Sequence, residues 1–178
     1  MKKTVAVLGL VIVLAAIAIV QQFATAEMTA LPTEEKPQIG YLAPSFELDT
    51  LEGGTLGISR GEREKAVILN FWASWCDPCR LEAPFLVDIY DKYNEELEIY
   101  AVNGTEYDKM AGIEAFVKQY QYTFPVLLDR KSEVFNRYQV PGYPTSVFID
   151  RNGVIQDIVI GLPGHEEFEK RVSKLIRS

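Results

Sequence analysis

Residues Ala66 to Trp72 form an apolar run of bulky side chains, interrupted only by Asn70, that ends four residues before Cys76. Such a run, without polar alternation, fits a strand buried on both faces of a sheet. After Cys79, the residues Leu81, Phe85, Leu86, Ile89, Tyr90 and Tyr93 recur at spacings of three and four, the apolar stripe of a helix. A doubly buried strand feeding straight into an amphipathic helix demands cover on both sides of a sheet. That points to a layered α/β domain.

The remaining segments continue the alternation. Phe46 to Asp49 and Thr55 to Ile58, joined through Gly53-Gly54, predict a small hairpin. Leu97 to Asn103 reads as a strand, Ala111 to Tyr120 as a helix, Val126 to Asp129 as a short strand and Ser132 to Tyr138 as a short helix. Thr145 to Asp150 and Val154 to Gly161 flank Arg151-Asn152-Gly153, a turn requiring positive φ and hence an antiparallel hairpin. A last helix is expected from His165 to Ile176, and Pro84 is expected to kink the helix after the cysteines. The sum is a mixed central sheet flanked by helices.

The chemistry rests on few residues. Cys76 and Cys79 are the only cysteines and His165 is the only histidine, so a disulfide scaffold, a zinc cluster and a His-based triad lack their parts. The two cysteines stand at a strand-to-helix junction, where residues three apart on a first turn can close a disulfide. Cys76 faces the unpaired N–H groups and positive dipole end of the helix, which favour its thiolate, and Cys79, a turn deeper, suits a resolving thiol. Asp77-Pro78 between them fits a helix start. This reads as a dithiol that cycles through a disulfide, with no cofactor and no metal.

Three separated motifs carry a family resemblance. Trp72-Ala73-Ser74-Trp75-Cys76-Asp77-Pro78-Cys79-Arg80 resembles the active-site segment of the thioredoxin superfamily, Gly142-Tyr143-Pro144-Thr145 its cis-proline loop, and Pro84 its helix proline. Ala43-Pro44-Ser45-Phe46, an insertion from Tyr107 to Asp129 and the apolar amino terminus make it similar to exported members of the ResA, TlpA and DsbE type. The resemblance implies a thioredoxin fold with an N-terminal β-hairpin and a central helix-strand insertion. It implies a cis Pro144 that brings Tyr143 beside Cys76, with the Tyr143 backbone free to pair with an extended substrate. Cytosolic thioredoxin has a buried aspartate where this chain has Asn70, which cannot exchange a proton. Glu82, at i+3 from Cys79, is the best-placed replacement, and ResA-like proteins have a glutamate there, so it is the candidate general base. The competing reading is a solvated glutamate on the helix face.

The amino terminus bears on place and partners. Lys2 and Lys3 precede an apolar segment, and Thr4 to Ala24 would reach about 31 Å as a helix, close to a bilayer's hydrocarbon thickness. Residues 1–26 are expected to be a signal-anchor, with cleavage after Ala26 in the Ala24-Thr25-Ala26 site as the alternative. Residues 27–40 read as a tether and 41–178 as the thioredoxin-like domain. Either version of the leader exports the domain, the anchored one holding it on the outer face of the cytoplasmic membrane. The expected partners are disulfide-containing exported proteins, such as apocytochrome c, and a membrane thiol carrier as electron donor, with the protein a monomer. A net charge of −7 excludes a nucleic-acid role.

Asp77, and Glu82 with it, place negative charge near Cys76, which opposes the thiolate and suits a reductant. Trp75 is expected to shield the site and contact substrate, Trp72 to pack in the core, and His165 to lie on the surface. Other classes stay open. A peroxiredoxin-like peroxidase shares the Ala-Pro-x-Phe opening but has a threonine where this chain has Ala73, and a tethered binding module or chaperone would need no thiol chemistry. Arg80 occupies the position a haem-binding Cys-x-x-Cys-His requires for histidine, so the chain does not itself hold c-type haem.

Overall fold

The computed structural model describes residues 12–19 and 31–178. Residues 12–19 are helical, and the rest of the expected leader lies outside the described residues. Among the described residues, no helix is long and apolar enough to cross a membrane. Residues 32–178 form one compact unit, so residues 32–40, expected as part of the tether, belong instead to the domain: Glu35 accepts from Ser45 and Arg60, and Gly40 N–H donates to Ile155 O.

Its centre is a five-stranded sheet of order β5-β4-β3-β6-β7, with β3 at Ala66–Trp72, β4 at Leu97–Asn103, β5 at Val126–Leu128, β6 at Thr145–Ile149 and β7 at Ile155–Ile160. β3 is central and buried along its whole length, as its unalternating sequence predicts. It runs parallel to β4 and antiparallel to β6, while β4 and β5 are parallel and β6 and β7 form a hairpin. Gly153 in the connecting turn has φ +81°, the left-handed conformation expected there. β1 (Phe46–Asp49) and β2 (Thr55–Ile58) make a separate antiparallel pair.

Each face of the sheet has its own core. Ile68 and Trp72 of β3 point to one side, under α1 (Asp77–Tyr93), α2 (Met110–Tyr120) and α4 (His165–Leu175), which contribute Ala83, Leu86, Ile89, Ile113, Phe116, Phe168 and Val172. Val67, Leu69 and Phe71 point to the other, under Phe46 and Ile58 of the hairpin and Val134 of α3 (Glu133–Arg137). This is the thioredoxin-like arrangement, and the insertion supplies α2 and the edge strand β5.

Two expectations change at the level of single residues. Leu81, assigned to the buried stripe of the helix, is 63% exposed, and the inward positions of α1 are Cys79, Glu82, Ala83, Leu86 and Ile89. Periodicity placed the helix correctly but rotated its first turn, because the pattern counts only apolar residues and Glu82 is buried. α1 continues past Pro84 to Tyr93.

β5 stops at Leu128 instead of Asp129, because Asp129 serves the next helix. Its buried carboxylate accepts the N–H groups of Glu133, Val134 and Phe135 at 2.9, 3.0 and 2.9 Å, satisfying the unpaired donors of the first turn of α3. Asp129→Ala leaves those N–H groups, one of them buried, without their acceptor. It is expected to lower stability by about 2 kcal/mol in urea unfolding; an unchanged midpoint would contradict the capping role.

Candidate active site

Cys76 closes the loop after β3 and is the N-cap of α1, with φ −80° and ψ 111°. Its Sγ accepts the N–H of Cys79 at 3.1 Å, so the sulfur takes the place of the usual capping oxygen. Cys76 and Cys79 are bonded to each other, with S–S 2.04 Å and Cα–Cα 5.3 Å. Both are buried, Cys76 at 5% and Cys79 at 2% exposure. Asp77 and Pro78 lie on the outer side of the first turn. The Asp77 carboxylate is well exposed and 3.5 Å from the Arg80 guanidinium, so water and a countercharge both weaken its field at Cys76.

The inner side of the same turn carries a different carboxylate. Glu82 is 1% exposed, which excludes the solvated reading. Asn70 donates through Nδ2 to Glu82 Oε2 at 2.8 Å and to Ser146 Oγ of β6 at 3.0 Å, joining strand, helix and the strand after Pro144. Among the described residues, Glu82 Oε1 and Asn70 Oδ1 have no hydrogen-bond partner. Burial pushes the Glu82 carboxyl up from 4.5 to about 7, and the Asn70 bond only partly opposes this. Asn70 thus orients the carboxyl in place of exchanging a proton itself.

The loop before β6 forms the other wall. The Tyr143–Pro144 bond is cis. Thr145 Oγ1 donates to Gly142 O at 2.8 Å, and Gly161 N–H donates to Pro144 O at 2.8 Å, which fixes the loop at both ends. The Tyr143 backbone N–H and C=O have no backbone partner among the described residues. The Tyr143 ring meets Trp75 edge-on at 5.6 Å and Phe135 of α3 at 5.0 Å. Its hydroxyl sits over Gly104, where any Cβ would collide with it. Burial, with the negative charges of Asp108 and Asp129, pushes that hydroxyl up to about 12, so it remains neutral. Trp75 is 54% exposed, while Trp72 is fully buried against Phe116.

The structure therefore brings together Cys76, Cys79, Glu82 and Asn70 around the start of α1, with Trp75, Tyr143 and Pro144 beside them. His165 stands apart, half-buried against Phe85 at 4.9 Å and not fully on the surface as expected. Sequence spacing missed Ser146, the second partner of Asn70, and Gly104, the seat of Tyr143. Only the small size of Gly104 could have signalled it.

A buried carboxyl at about 7 has a measurable consequence in the oxidised protein. The unfolded chain releases this proton near 4.5, so the folded state holds it between those values. The stability it contributes is complete below about pH 4.5 and is lost as pH rises through about 7, by about 3 kcal/mol in all. Relative to the wild type, Glu82→Gln should gain about that amount between pH 4.5 and 8.5 in urea unfolding. A difference that does not vary with pH would refute the raised value.

Comparison with known proteins agrees with this geometry. The AhpC/TSA family profile matches residues 39–158. A thiol-disulfide oxidoreductase ResA of Bacillus cereus is 37% identical over 143 residues, covering 80% of this chain and 81% of the relative. The thioredoxin-like protein YneN of Bacillus subtilis is 40% identical over 136 residues, covering 76% and 79%. The crystal structure of StoA from Bacillus subtilis superposes with a TM-score of 0.63 at 30% identity, covering 72% of this chain and 96% of StoA. With its two cysteines bonded at the head of α1, the chain belongs to the AhpC/TSA family and is a thiol-disulfide oxidoreductase of the ResA, DsbE and StoA type.

Proposed function

We propose that the protein is an extracytoplasmic reductant of disulfides in exported proteins, apocytochrome c among them. The observation that carries the direction of the reaction is the burial of Glu82 on the inward face of α1, one turn after Cys79. Reduction of the pair places a dithiol one turn from a carboxyl that burial has stripped of water, and the negative charge it carries when ionised disfavours the thiolate. A less stabilised thiolate lowers the potential and makes the dithiol a better electron donor.

In this reading the Cys76 thiolate attacks one sulfur of the substrate disulfide. That S–S bond breaks, a mixed disulfide forms at Cys76, and the other substrate sulfur leaves as a thiolate and takes a proton from water. Glu82 accepts the Cys79 proton, having a pKa close to working pH, as general-base efficiency requires. Cys79, now a thiolate, attacks the Cys76 sulfur and expels the second substrate sulfur as a thiolate, which takes up the proton from Glu82. Two electrons pass to the substrate, and the enzyme is left with the Cys76–Cys79 disulfide seen in the structure. A membrane thiol carrier restores the dithiol by the same exchange in reverse.

Substrate contact falls to the cis-proline loop. An extended segment can pair with the unengaged backbone of Tyr143 as an added strand, with the exposed face of Trp75 against its side chains. The apolar leader supports tethering to the outer face of the cytoplasmic membrane. A peroxidase reading lacks its hydroxyl, since Ala73 is fully buried where a peroxidase has threonine.

The test is the redox potential of the Cys76–Cys79 couple together with trapping by Cys79→Ser. The expected potential is at or below about −230 mV, on the thioredoxin side of the scale, and the variant should accumulate mixed disulfides with exported cysteine proteins through Cys76. A potential near −120 mV, that of a strong oxidant, would reverse the direction. Absence of any adduct would end the exchange reading.

A further inference from the structure

Residues 103–109 take no part in the exchange chemistry, yet they grip the segment that carries it. Asp108, half-buried just before α2, accepts four hydrogen bonds: from Ser74 N–H at 2.6 Å, Ser74 Oγ at 2.5 Å, Asn103 Nδ2 at 3.0 Å and Lys109 N–H at 2.8 Å. Partial burial opposes its ionisation, but the bonds from Asn103, Ser74 and Lys109 outweigh it and hold the carboxyl below its ordinary value. Asn103 is itself fully buried at the end of β4, and its Oδ1 accepts from Thr105 Oγ1 at 3.0 Å. The carboxylate is thus built into the end of a core strand.

Ser74 is held at every polar atom. Asp108 takes its N–H and hydroxyl, and Arg80 Nη2 donates to its carbonyl at 3.1 Å. Gly112 of α2 packs so closely that a Cβ there would lie 2.6 Å from Ser74 Oγ. The next residue is tied to the same loop, because Trp75 Nε1 donates to Tyr107 O at 2.9 Å. Cys76 follows, its N–H donating to Ala73 O at 3.2 Å across the turn that contains both. A loop 34 residues away in sequence therefore fixes the two residues that lead into the sulfur.

We propose that Asp108 is a positioning residue for thiol-disulfide exchange: by pinning Ser74 it holds Trp75 and the backbone entering Cys76 in the attitude from which Cys76 meets an incoming disulfide. It acts through Ser74 and touches neither sulfur. Charge-assisted bonds to a half-buried carboxylate are the strong kind, and small displacements of a reacting group are costly in rate. The inference rests on Cys76 being the attacking sulfur. The two ideas fail differently: loss of that role abolishes trapping by Cys79→Ser whatever stands at 108, whereas failure of the positioning role leaves trapping intact.

The experiment uses the full chain labelled with 5-fluorotryptophan, which gives one 19F resonance from buried Trp72 and one from Trp75. Asp108→Asn keeps the size but puts an NH2 where an oxygen accepted. Its reduced form should reduce a disulfide-linked peptide about tenfold more slowly per folded molecule, with the Trp75 resonance shifted and the Trp72 resonance in place. Ser74→Ala, which loses one of the two Ser74 bonds, should slow about threefold, and the double variant should be no slower than Asp108→Asn alone, as for residues acting in one contact. Should Asp108→Asn fail to fold, the rate and Trp75 resonance of Ser74→Ala decide alone. Rates within about twofold of wild type in the folded variants, or Trp72 and Trp75 resonances that move together, would overturn the proposal.

Discussion

A carboxyl group buried on the inward face of α1, one turn after the disulfide, is the constraint on which the chemistry of this site depends. Glu82 reaches that position because α1 begins at the end of a doubly buried strand and turns its first inner face toward the sheet. Burial there favours the proton over the charge, and a single amide donor from Asn70 only partly redresses the balance. The result is a group that changes protonation near neutrality, one helical turn after Cys79 of a pair whose sulfurs gain and lose protons as they gain and lose electrons. Asn70 would be an isolated polar side chain in an otherwise apolar strand without this role. Ser146 then ties the pair to the strand that follows the cis-proline loop.

Outside the core the electrostatics weaken. Asp77 sits next to Cys76 in sequence, but its carboxylate is solvated and faces Arg80. In the sequence it reads as a negative charge opposing the Cys76 thiolate, with Glu82 adding another. Exposure separates the two: the same unit charge acts far more strongly through the low-dielectric interior than through water. Arg80 in turn holds the carbonyl of Ser74, so the outer surface of the first turn serves geometry more than potential.

Much of this was legible in the sequence because it depends on local pattern. The unalternating run of β3, the three-residue spacing of the cysteines and the stop signals around Gly153 each report on a few neighbouring residues, and each element forms where expected. Pro144 was legible only through resemblance to known sequences. What escaped reading depends on distant parts of the chain. Hydrophobic periodicity assigned Leu81 inward because it counts apolar residues, and it cannot register a buried carboxyl. Asp108 meets Ser74 across 34 residues, Asp129 leaves its strand to cap a helix, and Gly104 is required by a tyrosine from another strand's loop. Polar contacts of this kind carry no period.

The central claim is that Glu82 and the reduced cysteines titrate as one coupled set. The most direct measurement is the rate at which a thiol-specific alkylating agent modifies the reduced protein across about pH 6 to 10, for wild type and Glu82→Gln. Coupling predicts that replacing the carboxyl lowers the apparent thiol pKa and removes the inflection near neutrality that belongs to Glu82. Superimposable profiles for the two proteins would contradict the account.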